Sequence, residues 1–170
     1  MVTSPPLPLV YSDLDIRKIL RQTKTIAMIG ASANWVRPSN FVMKYLLGKG
    51  YNVIPINPGQ VGKEILGQPV YAQISDIPGT VDMIDVFRGS SAIPAIVDEI
   101  IPHIDAKNIK TLWTQIAVRH DAAAQVARNS GLNVIMDRCP KIEYGRLFGE
   151  LGWAGVNSGI ITSKRRKLTP

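Results

Sequence analysis

The sequence predicts an α/β fold, a doubly wound, mostly parallel sheet of five or six strands flanked by helices. Three observations predict it. Short apolar runs rich in branched residues recur at 25–30, 51–56, 81–87, 110–116 and 133–136. Helical patterns fall between most of them at spacings of roughly 20–30 residues, the rhythm of βαβ units. The first run stops abruptly at Gly30-Ala31-Ser32, ahead of a helical pattern. Strand, small-residue turn and helix in that order build a phosphate-binding corner.

The elements follow in order. Residues 1–11 read as a flexible, proline-rich arm. Ser12 with Asp15 three residues on marks a capped helix start, and Ile16, Ile19, Leu20 and Thr23 follow at helical spacing. That helix is expected beside the first strand. The helix from Ser39 places Phe41, Val42, Tyr45 and Leu46 on one face. Gly50 marks the turn into strand 51–56, and Asn57-Pro58-Gly59 closes it. Pro55 cannot donate to a ladder, so the strand is expected to be leaving the sheet there, towards the ligand edge. From Gln60 to Pro78 there is no helical period; Pro69-Val70-Tyr71 reads as a short edge strand and Ser75-Asp76-Ile77-Pro78 as a capped turn. Strand 81–87 leads to a helix face of Ile93, Ile96, Val97, Ile100, Ile101 and Ile104, in which Pro94 suits a first turn and Pro102 should end or kink the helix. Strand 110–116, helix 121–130 stopped by Gly131, strand 133–136 and a last helix from Pro140 through Tyr144 and Leu147 complete the pattern. Residues 12–162 thus form one domain, and 163–170 a basic tail. Right-handed crossovers bring the strand ends at Gly30, Asn57, Phe87, Gln115 and Asp137 to one edge, and so to one cleft.

Composition narrows the function. A chain of 170 residues with 45% hydrophobic and 19% charged content buries a core without disulfides. No apolar run reaches spanning length, and Met1–Pro8 has neither a basic start nor an apolar signal core, so a cytoplasmic, non-membrane protein is expected. The single cysteine, Cys139, forms no internal disulfide. The net charge of +7 favours anionic partners. Part of it lies in Lys164-Arg165-Arg166-Lys167, and no basic, aromatic-interleaved strand or recognition helix marks specific nucleic-acid binding. Trp153–Ile161 is apolar enough for a homodimer contact or for folding back on the monomer.

The turn chemistry then selects among anions. A dinucleotide fingerprint reads Gly-x-Gly-x-x-Gly with an acid about 20 residues on for the ribose of NAD. Here the turn is Gly30-Ala31-Ser32-Ala33-Asn34-Trp35-Val36-Arg37-Pro38-Ser39, and no carboxylate lies between Gly50 and Gly59. NAD loses its main specificity contact; NADP is less affected, because Arg37 could take the extra phosphate. A P-loop is excluded, since no Gly-Lys-Ser/Thr follows.

Ile29-Gly30-Ala31-Ser32-Ala33-Asn34 with Arg37-Pro38-Ser39 resembles the first motif of the small CoA-binding proteins, whose domain is shared with the succinyl-CoA synthetase alpha subunit. Further matches are Lys44-Tyr45-Leu46 with Gly50-Tyr51, Val53-Ile54-Pro55-Ile56-Asn57-Pro58, Ile65-Leu66-Gly67, Ser75-Asp76-Ile77-Pro78, Val86-Phe87-Arg88 and Met136-Asp137-Arg138-Cys139-Pro140-Lys141-Ile142-Glu143. The resemblance implies a Rossmann-like domain with strand order 3-2-1-4-5, Pro69-Val70-Tyr71 at its edge, that binds coenzyme A or an acyl-CoA. Phosphates need backbone donors and cations; a pantetheine arm needs an apolar channel ending in a few polar groups. On this reading the amides of Gly30, Ala31 and Ser32, with Ser32 Oγ, take a phosphate, and Asn34 and Ser39 belong to the same turn. Arg37 is the first cation and Lys44 the second, against a plain helix-surface role for Lys44. Asn57 and Pro58 border the adenosine half, Phe87 and Arg88 the diphosphate or adenine, and Gln115 and Arg138 the pocket; Trp113 is core.

Catalytic candidates are few. His103 reads as a surface or capping residue, and His120 as structural, with Asp121 as a helix N-cap. Cys139 is the reactive candidate, its thiol lowered by Arg138 and Lys141, against a role as a half-buried small hydrophobe. Asp137 and Glu143 are expected to pair with Arg138 and Lys141. The resembled family often carries His after the Glu of this last motif, where Tyr144 stands here. The expectation is a non-catalytic module that serves as carrier, sensor or partner of an enzyme. The alternative is an NADP-dependent oxidoreductase or an acyl-CoA-handling transferase. No ligand spacing suits a metal.

Overall fold

The computed structural model describes residues 9–149, in which strands and helices alternate along the chain. In chain order they are α1 (Asp13–Gln22), β1 (Thr25–Ile29), α2 (Pro38–Gly48), β2 (Asn52–Ile56), β3 (Glu64–Ile65), β4 (Gln68–Pro69), β5 (Met83–Val86), α3 (Ile93–Ile100), α4 (Ile104–Lys107), β6 (Thr111–Thr114), α5 (Asp121–Asn129), β7 (Asn133–Ile135) and α6 (Pro140–Leu147). The order β2-β1-β5-β6-β7 makes one parallel sheet. The chain thus winds outward from β1 to β2, then crosses back to build β5, β6 and β7. Between β1 and β5 the outgoing connections part in opposite directions and leave a crevice, the usual ligand position in such sheets.

Both faces of the sheet are covered, which is why its strands are near-continuous apolar runs. Ile26, Met28, Met83, Trp113 and Ile135 pack under α1, α2 and α6. Ala27, Ile29, Ile84, Val86, Leu112 and Val134 pack under α3 and α5. Ser12 starts α1 as its sequence indicates, its Oγ accepting the Asp15 N–H at 3.1 Å. Pro102 ends α3, and the chain passes through a tight turn at Ile101–His103 into α4.

Four sequence expectations are corrected. Pro55 does not leave the sheet: it stays in register with Met28. Its carbonyl faces away from β1 and accepts the Tyr71 N–H at 3.0 Å. The N and C=O of a strand residue point the same way, so the missing donor lies on the outer edge and β1 loses nothing. Pro69-Val70-Tyr71 is not a strand of the main sheet. Pro69 pairs with Glu64 in the β3–β4 hairpin, and only Tyr71 bridges Ile56, so the sheet has five strands with a single bridge at the outer position. His120, not Asp121, caps α5: its Nδ1 accepts the Ala123 N–H at 3.2 Å, while Asp121 pairs with Arg119 at 2.6 Å. Residues 9–11 of the expected arm lie against the domain, with Leu9 on the core and Tyr11 Oη accepting the Met136 N–H at 2.8 Å. The expectations for 1–8, Trp153–Ile161 and the basic tail lie outside the described residues. Among the described residues, no helix is long and apolar enough to cross a membrane.

Candidate functional site

The crevice is built from the first strand outward. Gly30 has φ +80° and presses against β5 so closely that a Cβ there would stand 2.5 Å from the Phe87 carbonyl oxygen. Only glycine meets both demands. Its N–H, however, donates to the Ile56 carbonyl at 3.0 Å, a ladder bond that withdraws it from the anion role read from the sequence. The amides of Ala31 and Ser32 make no hydrogen bond among the described residues; Ser32 lines the cleft and remains a donor, whereas Ala31 has no exposed surface. Asn34 shapes the turn instead of lining the crevice: its N–H donates to Ser32 Oγ at 3.2 Å and its Oδ1 accepts the Val36 N–H at 3.1 Å. Asn57 pins the turn to β2, Nδ2 donating to the Ala31 carbonyl at 2.8 Å and Oδ1 accepting the Gly59 N–H at 3.0 Å. Helix α2 begins at Pro38 with Arg37 as an N-cap that supplies no side-chain bond; Pro38 has no N–H and the Asn40 and Phe41 amides donate to the Arg37 carbonyl, so its first turn adds the Ser39 amide and partial positive charge.

A cleft of about 740 Å³ opens on these groups. Gly30, Ser32, Arg37, Ser39, Asn57, Phe87, Arg88, Gln115 and Cys139 line it, nine of the residues singled out from the sequence. Val42, Ile116 and Val118 add apolar wall. Pro58 borders a smaller recess of about 260 Å³ on the opposite side of Gly30, where Ala92, Ile96 and Glu99 stand, and Arg88 belongs to both spaces. Arg37 and Arg88 are exposed and make no ion pair among the described residues. Ala31 is wholly buried behind the turn, backbone included, and does not line the cleft.

Two expected ligand cations stand elsewhere. Lys44 lies on the exposed face of α2, outside the cleft lining, because helical spacing turns it away from Val42 and Tyr45. Arg138 is held in a structural network: Nη1 donates to the Asp137 carbonyl at 3.0 Å, Nε lies 3.8 Å from Glu143, and the guanidinium sits 5.8 Å from the centre of the Tyr11 ring. Glu143 pairs chiefly with Arg146, at 2.6 Å, and Lys141 lies over the Tyr45 ring, so the pairing expected for Lys141 is not found. Asp137 Oδ1 accepts the Ala117 N–H at 2.7 Å. Burial pushes the Cys139 thiol up, and the Asp85 charge adds to this, against the amides of Ile142 and Lys141; the lowering expected from nearby cations does not prevail.

Asp85 is the residue that the sequence reading missed. It stands in the central strand, in a row with Met28, Trp113 and Ile135, and is 0% exposed. Gln115 Nε2 donates to its Oδ1 at 2.7 Å, while Oδ2 has no partner among the described residues. Burial raises its pKa to about 7, and the Gln115 bond opposes the rise. A signal was present: a parallel strand covered on both faces leaves no exposed position in its middle, so an acid inside such a run needs an explanation.

Fold and site together define a doubly wound α/β domain that offers a free Ser32 amide and two arginines without an ion-pair partner among the described residues at its switch point, in a cleft with one apolar wall. The particular family follows from comparison with known proteins: the chain belongs to the CoA binding domain family, whose profile matches residues 24–145. It is 33% identical over 133 residues to the uncharacterised protein YneT of Bacillus subtilis, covering 78% of this chain and 94% of that one. A structure of a hypothetical protein from Pyrococcus horikoshii superposes with a TM-score of 0.76 at 35% identity, covering 86% of this chain and 100% of that one. An ADP-forming acetate–CoA ligase of Archaeoglobus fulgidus is 34% identical over 76 residues, 45% of this chain and 11% of the ligase.

Proposed function

We propose that the chain binds coenzyme A or an acyl-CoA at the C-terminal edge of its sheet and serves as a binding module without chemistry of its own. A phosphate of the ligand is taken by the Ser32 amide and the Ser39 amide in the first turn of α2, between Arg37 and Arg88. The pantetheine arm runs along Val42, Ile116 and Val118. The observation that carries this reading is the turn after β1, where a glycine-only approach to β5 leaves the cleft-lining Ser32 amide without an acceptor among the described residues, beside a helix start with no side-chain cap. Family membership supports the choice of coenzyme A. The binding-only role is supported by His120 being occupied as a helix cap and by a Cys139 thiol that burial keeps protonated.

Thermal unfolding with coenzyme A, acetyl-CoA, NADP, NAD and ATP in parallel tests the reading. A ligand at 100 times its Kd stabilises the fold by about 2.7 kcal/mol, a readily measured rise in Tm. Coenzyme A or its thioester should give the largest shift. Arg37→Ala should weaken binding about tenfold, the usual magnitude for a lost bond to a charged group. A larger shift with NADP would replace the proposal by an oxidoreductase, and no shift with any of the five would overturn it.

A further inference from the structure

The cleft has two chemically different ends. Arg37, Arg88 and the Ser32 amide follow the neighbouring strands β1 and β5, whereas Gln115, Ile116 and Val118 follow β6 and Cys139 follows β7, farther along the sheet edge. Asp85 lies beneath that second end, wholly buried, with one carboxyl oxygen bound to Gln115 and the other unpartnered among the described residues. Such a group lowers the stability of the fold that carries it, and a buried acid of this kind beside a cleft marks a role in the site. An ionised carboxylate only accepts hydrogen bonds, so it holds the Gln115 amide with its NH2 inward and its carbonyl outward. Among the described residues Gln115 Oε1 has no donor, and Gln115 lines the cleft.

We infer that Gln115 is a specificity-determining residue, positioned by Asp85, whose side-chain carbonyl accepts a hydrogen bond from an N–H or S–H group on the uncharged arm of the ligand. The inference rests on the coenzyme reading above and deepens it by orienting the ligand. A phosphate, having no proton to give at neutral pH, is refused at this end; a pantetheine amide or thiol is accepted. The arm therefore runs from the arginines towards Gln115, and its end comes to lie beside Cys139.

The pairing also makes the acceptor dependent on pH. Met28 on β1 and Trp113 on β6 flank Asp85 and do not titrate in this range, and α2 brings apolar Val42 and Met43 to this layer. From α6 comes the Cys139 thiol, which burial keeps protonated. Burial and the Gln115 bond govern the titration of Asp85, near pH 7. Once protonated, Asp85 can donate to Gln115 Oε1, and the amide can then turn its NH2 into the cleft and remove the acceptor.

Calorimetric titration of the wild type, Gln115→Met and Asp85→Asn with coenzyme A and with adenosine 3′,5′-bisphosphate, which lacks the arm, tests this. Gln115→Met should weaken coenzyme A about tenfold and leave the bisphosphate unchanged. Wild-type affinity for coenzyme A should fall on acidification through about pH 7, and Asp85→Asn should flatten that profile. Tm values of both variants establish that they fold. Equal affinity of the wild type and Gln115→Met for coenzyme A, or parallel loss of both ligands, overturns the inference while leaving the coenzyme reading in place. Binding of neither ligand by the wild type overturns both.

Discussion

Two residues carry opposite obligations to the fold and to the site. Gly30 is required by geometry, since any side chain would enter the Phe87 carbonyl and φ +80° would strain it. Gly30→Ala should therefore cost more than about 2 kcal/mol in urea denaturation, well beyond an ordinary glycine substitution, and should abolish ligand binding with it. A near-neutral outcome would mean that β1 and β5 can separate at this point. Asp85 is the reverse case, a group that weakens the fold. Its folded pKa is raised from 3.8 to about 7, so between those values the native state keeps a proton that the unfolded chain has released. Its contribution to stability thus falls as pH rises through that window and stays lost above it. Asp85→Asn should be more stable than the wild type above pH 7, by on the order of 1–3 kcal/mol, with the difference shrinking towards pH 4. Chemical denaturation of both proteins across that range checks the sign, and a difference that does not change with pH would show that Asp85 is not titrating there.

At the level of elements, the agreements and failures of the sequence reading have local causes. Periodicity located α1, α2, α3, α5 and α6 because each buries a stripe, as Ile93, Ile96, Val97 and Ile100 do on α3, but it ran α4 together with α3 by placing Ile104 on the same face. It misjudged Pro55 and Pro69 because their meaning depends on which strand is at the edge and which side of it is open, and neither is a local property. The capping of α5 was assigned to the wrong neighbour because His120 and Asp121 both offer acceptors, and the backbone path decides which one reaches the Ala123 amide. The segment before α1 was read as loose from its prolines, yet Tyr11 closes the end of β7 by accepting the N–H of buried Met136. Tyr11→Phe should leave that amide without its partner and cost about 1–3 kcal/mol of stability, measured by thermal unfolding. Unchanged stability would show that residues 9–11 contribute nothing to holding the sheet.

For the whole molecule, the winding order decides where function can reside. Reversal between β1 and β5 puts the ends of β1, β5, β6 and the start of α6 around one crevice, so residues far apart in sequence, such as Arg37, Arg88, Gln115 and Cys139, share a wall. The sequence by itself determined the α/β class, the five main strands, the small-residue turn after β1 and most of the cleft lining, because these follow from short-range patterns of burial, glycine and helix starts. It could not say which of these groups were free to act. Tertiary contacts decided that: Gly30 gives its amide to Ile56, Asn34 folds on its own turn, Arg138 is drawn to Glu143 and Tyr11, and Lys44 faces solvent. They also decided what no pattern announced, an acid buried in the central strand and tied to a glutamine of the cleft. A side chain's chemical type is written in the chain, but its remaining valence for a ligand is what is left after the fold has satisfied its own donors and acceptors.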